Sequence, residues 1–153
     1  MSITINFDEK DIEDFLCTED HLEKYLGLKY VNRQVNIDKF FIDILAYSPR
    51  EKCFYIIELK KDELNAKAFV QALKYHKLMS YAYKHKHKFK VLLIGKNLNE
   101  DLHYLTTLFD YPPNNRDFLY ILYSYTFENG IAFNTYNIAQ AEIQEHLEEN
   151  YYV

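Results

Sequence analysis

Two consecutive apolar runs, residues 40–47 and 53–60, each carry charge that a buried strand cannot hold without a partner. Asp43 sits inside the first, and Glu58-Leu59-Lys60 ends the second. Ser48-Pro49-Arg50-Glu51 lies between them, a turn composition that predicts an antiparallel hairpin. Because strand side chains alternate in direction, Phe41, Asp43 and Leu45 are expected on one face of their strand, opposite Ile42, Ile44 and Ala46. In the next strand Phe54, Ile56, Glu58 and Lys60 are expected together. Two carboxylates and an ammonium would then converge. A structural ion pair, Asp43–Lys60 or Glu58–Lys60, is the plain way to satisfy them. The chemical way is a hard divalent cation with a water oriented for attack on a phosphodiester.

The remaining pattern surrounds this hairpin. Asp8 caps a helix with Ile12, Phe15 and Leu16 inward; Thr18 restarts it with Leu22, Tyr25 and Leu26 inward, and Gly27 ends it. Residues 30–37 read as a strand preceding the hairpin. Residues 65–83, rich in Ala, Leu, Lys, Gln and Met, predict a helix packed on the sheet, followed by a strand at 89–95. Residues 99–109 read as helix, 118–127 and 131–136 as a strand pair turned by Asn129-Gly130, and 138–149 as an acidic helix. A crossover helix permits its flanking strands to be parallel. The expected fold class is therefore α/β: an antiparallel meander plus a parallel strand in one mixed sheet flanked by helices.

With 153 residues, 48% of them hydrophobic, the chain suits a single domain spanning 1–153. No apolar run reaches 18 residues and no signal-like segment opens the chain, so an intracellular protein without membrane attachment is expected. Cys17 and Cys53 lack CxxC spacing and read as reduced thiols. The net charge of −5 conceals a segregation: residues 1–28 carry 2 basic and 8 acidic side chains, 29–98 carry 15 and 6, and 99–153 carry 1 and 9. The basic third holds the charged hairpin, which suits a polyanionic partner, although a solvated surface reads the same way.

Arg33-Gln34-Val35 through Phe41-Ile42-Asp43-Ile44-Leu45-Ala46-Tyr47, then Tyr55-Ile56-Ile57-Glu58-Leu59-Lys60-Lys61, then Gln71-Ala72-Leu73-Lys74-Tyr75 together resemble the PD-(D/E)XK nuclease superfamily. Within it, the likeness is to the RecB-like group and the nuclease domain of NucS-type endonucleases, where Gln and Tyr four apart follow ExK on a helix. The resemblance covers residues 9–95. Ile42 stands where the superfamily's name has proline. The resemblance implies a restriction-endonuclease-like core. It also implies Mg²⁺ or Mn²⁺ held by Asp43, Glu58 and the Leu59 carbonyl, with Lys60 positioning the attacking water. Glu13 matches the additional acidic residue of the family, with a solvated glutamate, Glu13 or Glu9, as the other reading. Gln71 and Tyr75 share a helix face and can serve the site or the nucleic acid.

Lys61, Lys67, Lys74, Lys77 and Arg33 are candidates for phosphate contacts. Lys84-His85-Lys86-His87-Lys88 lacks the supporting ligands of a metal site. Fifteen Tyr and eleven Phe exceed what a small core buries, so 118–123 is expected at an edge or interface, with a homodimer placing two sites on two strands. The expected function is metal-dependent endonucleolytic hydrolysis of DNA, in repair, recombination, restriction or a mobile element. RNA is the alternative polymer, and a protein partner is a means of targeting. The competing function is a non-catalytic nuclease-fold module that binds nucleic acid or protein.

Overall fold

The computed structural model describes residues 8–102, 118–126, 128 and 130–136. Asp8 starts helix α1 (Glu9–Leu16) with a capping box, its side chain accepting from the Asp11 N–H while the Asp11 side chain accepts from the Asp8 N–H. The expected restart at Thr18 does not occur. Glu19 and Asp20 both adopt positive φ, 51° and 58°, which a right-handed helix cannot contain, and Leu22–Leu26 then forms one π-helical turn ended by Gly27 at φ 68°. Leu22 points inward, whereas Tyr25 stays partly exposed.

The described residues then form the strands β1 (Lys29–Ile37), β2 (Phe40–Ser48), β3 (Cys53–Leu59), β4 (Glu63–Leu64), β5 (Phe89–Gly95), β6 (Asn97–Leu98), β7 (Phe118–Thr126) and β8 (Gly130–Tyr136), with helix α2 (Ala66–Ala82) between β4 and β5. Six of them form a mixed sheet in the order β1-β2-β3-β5-β7-β8. The β1-β2-β3 meander is antiparallel, β3-β5 and β5-β7 are parallel, and β7-β8 is antiparallel. This is the expected mixed α/β architecture. Strands β4 and β6 form a separate parallel pair that two-residue segments cannot announce by periodicity.

Apolar side chains fill both faces of the sheet. Ile12, Leu16, Leu22 and Leu28 pack on Ile44, Ala46, Ile57, Leu92 and Ile94, while Phe69, Ala72, Tyr75 and Met79 of α2 pack on Leu45, Ile56, Val91 and Leu93. Ile42 departs from the expected alternation and joins Leu45 on the α2 side. Opposite Asp43, Gln34 has φ 49° and the β1–β2 pairs run from Arg33↔Ile44 to Val35↔Ile42 without a Gln34↔Asp43 pair, while the register shift of these strands falls earlier, between Tyr30 and Asn32. A left-handed residue turns the strand locally and re-aims its neighbours. Residues 118–123 are likewise not at an edge: β7 lies between β5 and β8, with Tyr120, Ile121 and Tyr123 buried.

Cys17 and Cys53 are free thiols, as expected, and burial pushes Cys17 up to about 11. No helix among the described residues is long and apolar enough to cross a membrane. The helix expected over 99–109 lies mostly outside the described residues, and the one over 138–149 entirely so.

Gly95 closes β5 against the β4 segment. A Cβ at this position would lie 2.7 and 2.9 Å from Leu64 Cγ and Cδ2, and Leu64 is completely buried. Gly95→Ala is therefore expected to destabilise the fold by about 1–3 kcal/mol through overpacking. In urea unfolding, the Gly95→Ala/Leu64→Ala double variant should lose less than the two single losses combined. Simple additivity would show that the close approach is not what the glycine serves.

Candidate active site

The β2–β3 ladder runs from Ser48↔Cys53 to Ile44↔Ile57, and its continuation sets Asp43 opposite Glu58. Here side chains replace the ladder. The Leu59 N–H donates to Asp43 Oδ2 at 2.8 Å, and the Asp43 N–H donates to Glu58 Oε1 at 3.3 Å. Each carboxylate thus takes up an N–H of the other strand and is held in a fixed orientation. On the other side of β3, the Lys60 N–H bonds to Ile94 O at 2.8 Å, so the Leu59 N–H and carbonyl face the β2 side, where the ladder has opened. The pair lies at the carboxyl ends of parallel strands β3 and β5, the end at which α/β sheets bind ligands.

Both carboxylates are held at unfavourable potential. Burial, followed by repulsion from Asp43, pushes Glu58 up to about 8. Burial also raises Asp43, and the charges of Glu13 and Glu9 add to the effect against the Leu59 N–H bond and Lys60. Among the described residues no ion pair ties Lys60 to either carboxylate. Its Nζ instead donates to Gln71 Oε1 at 3.1 Å, and Gln71 Nε2 donates to Tyr75 Oη at 2.8 Å. The structural ion pair weighed as the plain reading is therefore absent. Gln71 and Tyr75, one helical turn apart, form a relay that fixes the ammonium beside the acids. Burial and the charge of Glu58 raise Tyr75 above its ordinary value.

A second carboxylate layer comes from α1. Glu13, 5% exposed, accepts hydrogen bonds from Arg33 Nη2 and from Gln34 Nε2, while Arg33 also pairs with Asp14. Consecutive strand residues ordinarily point to opposite faces, and the positive φ at Gln34 allows both to grip one carboxylate. Glu9 reaches the site from one turn earlier, accepting the Lys61 N–H at 3.3 Å. Tyr123 of β7 donates its hydroxyl to the Lys61 carbonyl, a contact that alternation in β7 could have suggested only once the sheet order was known.

The structure thus brings together Asp43, Glu58, Leu59, Lys60 and Gln71, with Glu13 behind them. Tyr75 is 3% exposed and packed on Phe40, so it braces Gln71 and presents no ring to a base. Arg33 is turned to Glu13 and Asp14. Lys61, Lys67 and Lys77 are exposed, and Lys74 Nζ lies 3.9 Å over the Phe40 ring. The described residues hold no cluster of three His, Cys, Asp or Glu side chains able to bind a metal alone. Two hard carboxylates with a carbonyl facing the same gap, and water filling the other positions, nevertheless fit the habits of Mg²⁺ or Mn²⁺.

The raised Glu58 makes stability depend on pH in a definite direction. Its folded value of about 8 exceeds the ordinary 4.5, so the folded state binds the proton more tightly. That stabilisation is complete below the unfolded value and is lost as pH rises through the folded one. In chelator, the melting temperature should fall between about pH 5 and 8, by roughly 2–4 °C per kcal/mol lost. Glu58→Gln should flatten the fall, and Mn²⁺ should restore stability at pH 8. A melting temperature that rises over this range would overturn the assignment of the burden to Glu58.

No family model and no curated protein matches the sequence. Solved structures do match in fold. The EndoMS–dsDNA2 complex is similar with a TM-score of 0.57 and 16% identity, covering 71% of this chain and 44% of that one. A repair endonuclease from Pyrococcus abyssi gives a TM-score of 0.55 and 16% identity, covering 70% of this chain and 46% of that one. The chain spans less than half the length of either. Its sheet and flanking helices share the restriction-endonuclease-like fold of these two structures, a mixed sheet flanked by helices as expected.

Proposed function

We propose that this chain is a divalent-cation-dependent nuclease that hydrolyses phosphodiester bonds of DNA. The observation that carries the reading is the pair Asp43 and Glu58, each locked onto the other strand's N–H and raised in pKa, with Lys60 held alongside by Gln71. A buried pair of acids without a cation partner is costly, and a divalent ion offsets that cost. DNA as the substrate is supported by the fold shared with a protein solved on double-stranded DNA and with a repair endonuclease.

In this reading Asp43 and Glu58 hold Mg²⁺ or Mn²⁺ with the Leu59 carbonyl. When bound there, such an ion would supply a more acidic water and offset charge on the scissile phosphate. Lys60 donates to the attacking water and to the phosphoryl oxygens, its ammonium positioned by the Gln71–Tyr75 relay. Glu13, oriented by Arg33 and Gln34, lies behind Asp43 and adds negative potential that favours a doubly charged ion over a proton. Lys67, Lys74 and Lys77 supply phosphate contacts on the α2 side, and Lys61 supplies one just past the end of β3.

Lys60→Ala should lower cleavage of labelled DNA in Mn²⁺ by at least about 100-fold while leaving calorimetric Mn²⁺ binding intact. Asp43→Ala and Glu58→Ala should abolish both. Equal cleavage by wild type and Lys60→Ala would remove the lysine from the mechanism. Mn²⁺ binding that survives Glu58→Ala would remove the metal site.

A further inference from the structure

The C-terminal end of α2 and the loop after it carry aromatic and basic side chains, Tyr81, Tyr83, Lys84 and Lys86, that the cleavage reading does not use. The exposed stripe of α2 contains Lys67, Val70, Lys74, Lys77 and Tyr81, spaced three or four residues apart, and no acidic residue occurs anywhere in the helix. Beyond the helix, Lys84, Lys86 and Lys88 are exposed as well. Tyr81 is 64% exposed and Tyr83 46%, a large apolar presentation for two rings at one helix end. Each is paired with a histidine of the following loop: Tyr81 with His85 at 5.5 Å and Tyr83 with His87 at 5.6 Å between ring centroids.

Backbone geometry holds this arrangement in place. His85 N–H bonds to Ser80 O and Lys84 N–H to Tyr81 O, the paired bonds of a Schellman ending. That ending needs a left-handed residue just past the helix, a place where glycine is unstrained, yet Lys84 occupies it at φ 52°. Strand pairing brings further charge to the same end of the sheet. The Phe54 N–H bonds to Lys88 O, so the Arg50–Lys52 turn that precedes β3 lies beside the lysine loop. The intervening acid, Glu51, is held by Lys90 at 2.8 Å and by Tyr55. From Gln71 to Tyr83 the helix rises about 18 Å, so this surface stands well away from the paired carboxylates.

We propose that the outer stripe of α2 and its C-terminal loop form a binding surface for single-stranded nucleic acid, with Tyr81 and Tyr83 as stacking platforms and Lys77, Lys84 and Lys86 as phosphate contacts. Lysines alone would suit any polyanion. The exposed rings select unpaired bases, because stacking requires a base face that a duplex keeps inside its own stack. The strand would leave this surface along the Lys77–Lys74–Lys67 stripe toward the Lys60 end of the sheet.

The test is fluorescence anisotropy of a labelled oligothymidylate and of a labelled duplex, with the full chain in chelator, so that metal and cleavage play no part. Wild type should bind the single strand more tightly than the duplex. Tyr81→Ala/Tyr83→Ala should weaken single-strand binding by at least about 5-fold without changing its salt slope. Tyr81→Phe/Tyr83→Phe should retain it. Lys84→Ala/Lys86→Ala should instead flatten the salt slope by about one to two counterions. Tyr81→Ala alone is the second variant, since Tyr83 also contacts Phe89 and its loss can disturb the loop. Equal or tighter binding of the duplex, or unchanged single-strand affinity in both alanine variants, overturns the proposal. Because the assay is run in chelator and reads binding alone, failure here and failure of the cleavage reading are separable.

Discussion

The exchange of hydrogen bonds between Asp43 and the β3 backbone, and between Glu58 and the β2 backbone, is the constraint around which the rest of the site is arranged. A ladder that simply continued would leave these side chains free to rotate apart and reduce their repulsion. Replacing ladder bonds with carboxylate bonds prevents that. The neighbouring side chains Ile44, Ile57, Leu93 and Ile94 are wholly buried, so the strand ends cannot relax without opening the core. The repulsion is therefore retained in the folded state.

Supporting residues act by restricting motion rather than by adding charge of the opposite sign to the pair. Lys60 is the nearest candidate for neutralisation, yet Gln71 holds its ammonium, and Tyr75 holds Gln71. An ammonium salt-bridged directly to Glu58 would occupy the position a metal needs. Glu13 shows the same logic from the opposite face. Its charge is balanced by Arg33, but its orientation depends on Gln34, whose left-handed backbone sets two adjacent strand residues on one carboxylate. The distortion in β1 lies opposite Asp43, so one irregularity both opens the β1–β2 pairing there and positions the carboxylate behind it.

Much of this was legible in the residues alone. Runs at 40–47 and 53–60 with a turn between them specify a hairpin, and the long helical run before 89–95 specifies a crossover, because apolar period and turn chemistry agree at each step. The convergence of Asp43, Glu58 and Lys60 follows from alternation. The side on which Ile42 packs did not follow, since alternation assumes a continuous ladder and the pair beside it, Gln34 with Asp43, is missing. Arg33 was equally opaque: an arginine in a basic segment reads as a phosphate contact until the fold brings Glu13 and Asp14 beside it from twenty residues away. Tyr75 reads as a ligand-facing phenol until the packing of α2 buries it. In each case the missing information was a tertiary neighbour, not a local preference.

The distribution of charge over the two faces gives the whole arrangement a direction. The α1 side carries Glu9, Asp11, Glu13, Asp14, Glu19, Asp20 and Glu23, whereas α2 carries Lys67, Lys74 and Lys77 and no acid. A net charge of −5 would keep a polyanion away if it were evenly spread. Because it is segregated, repulsion from the α1 side and attraction to the α2 side act together on any polyanion that approaches. Lys60, Gln71 and the exposed stripe of α2 all lie on the attractive side.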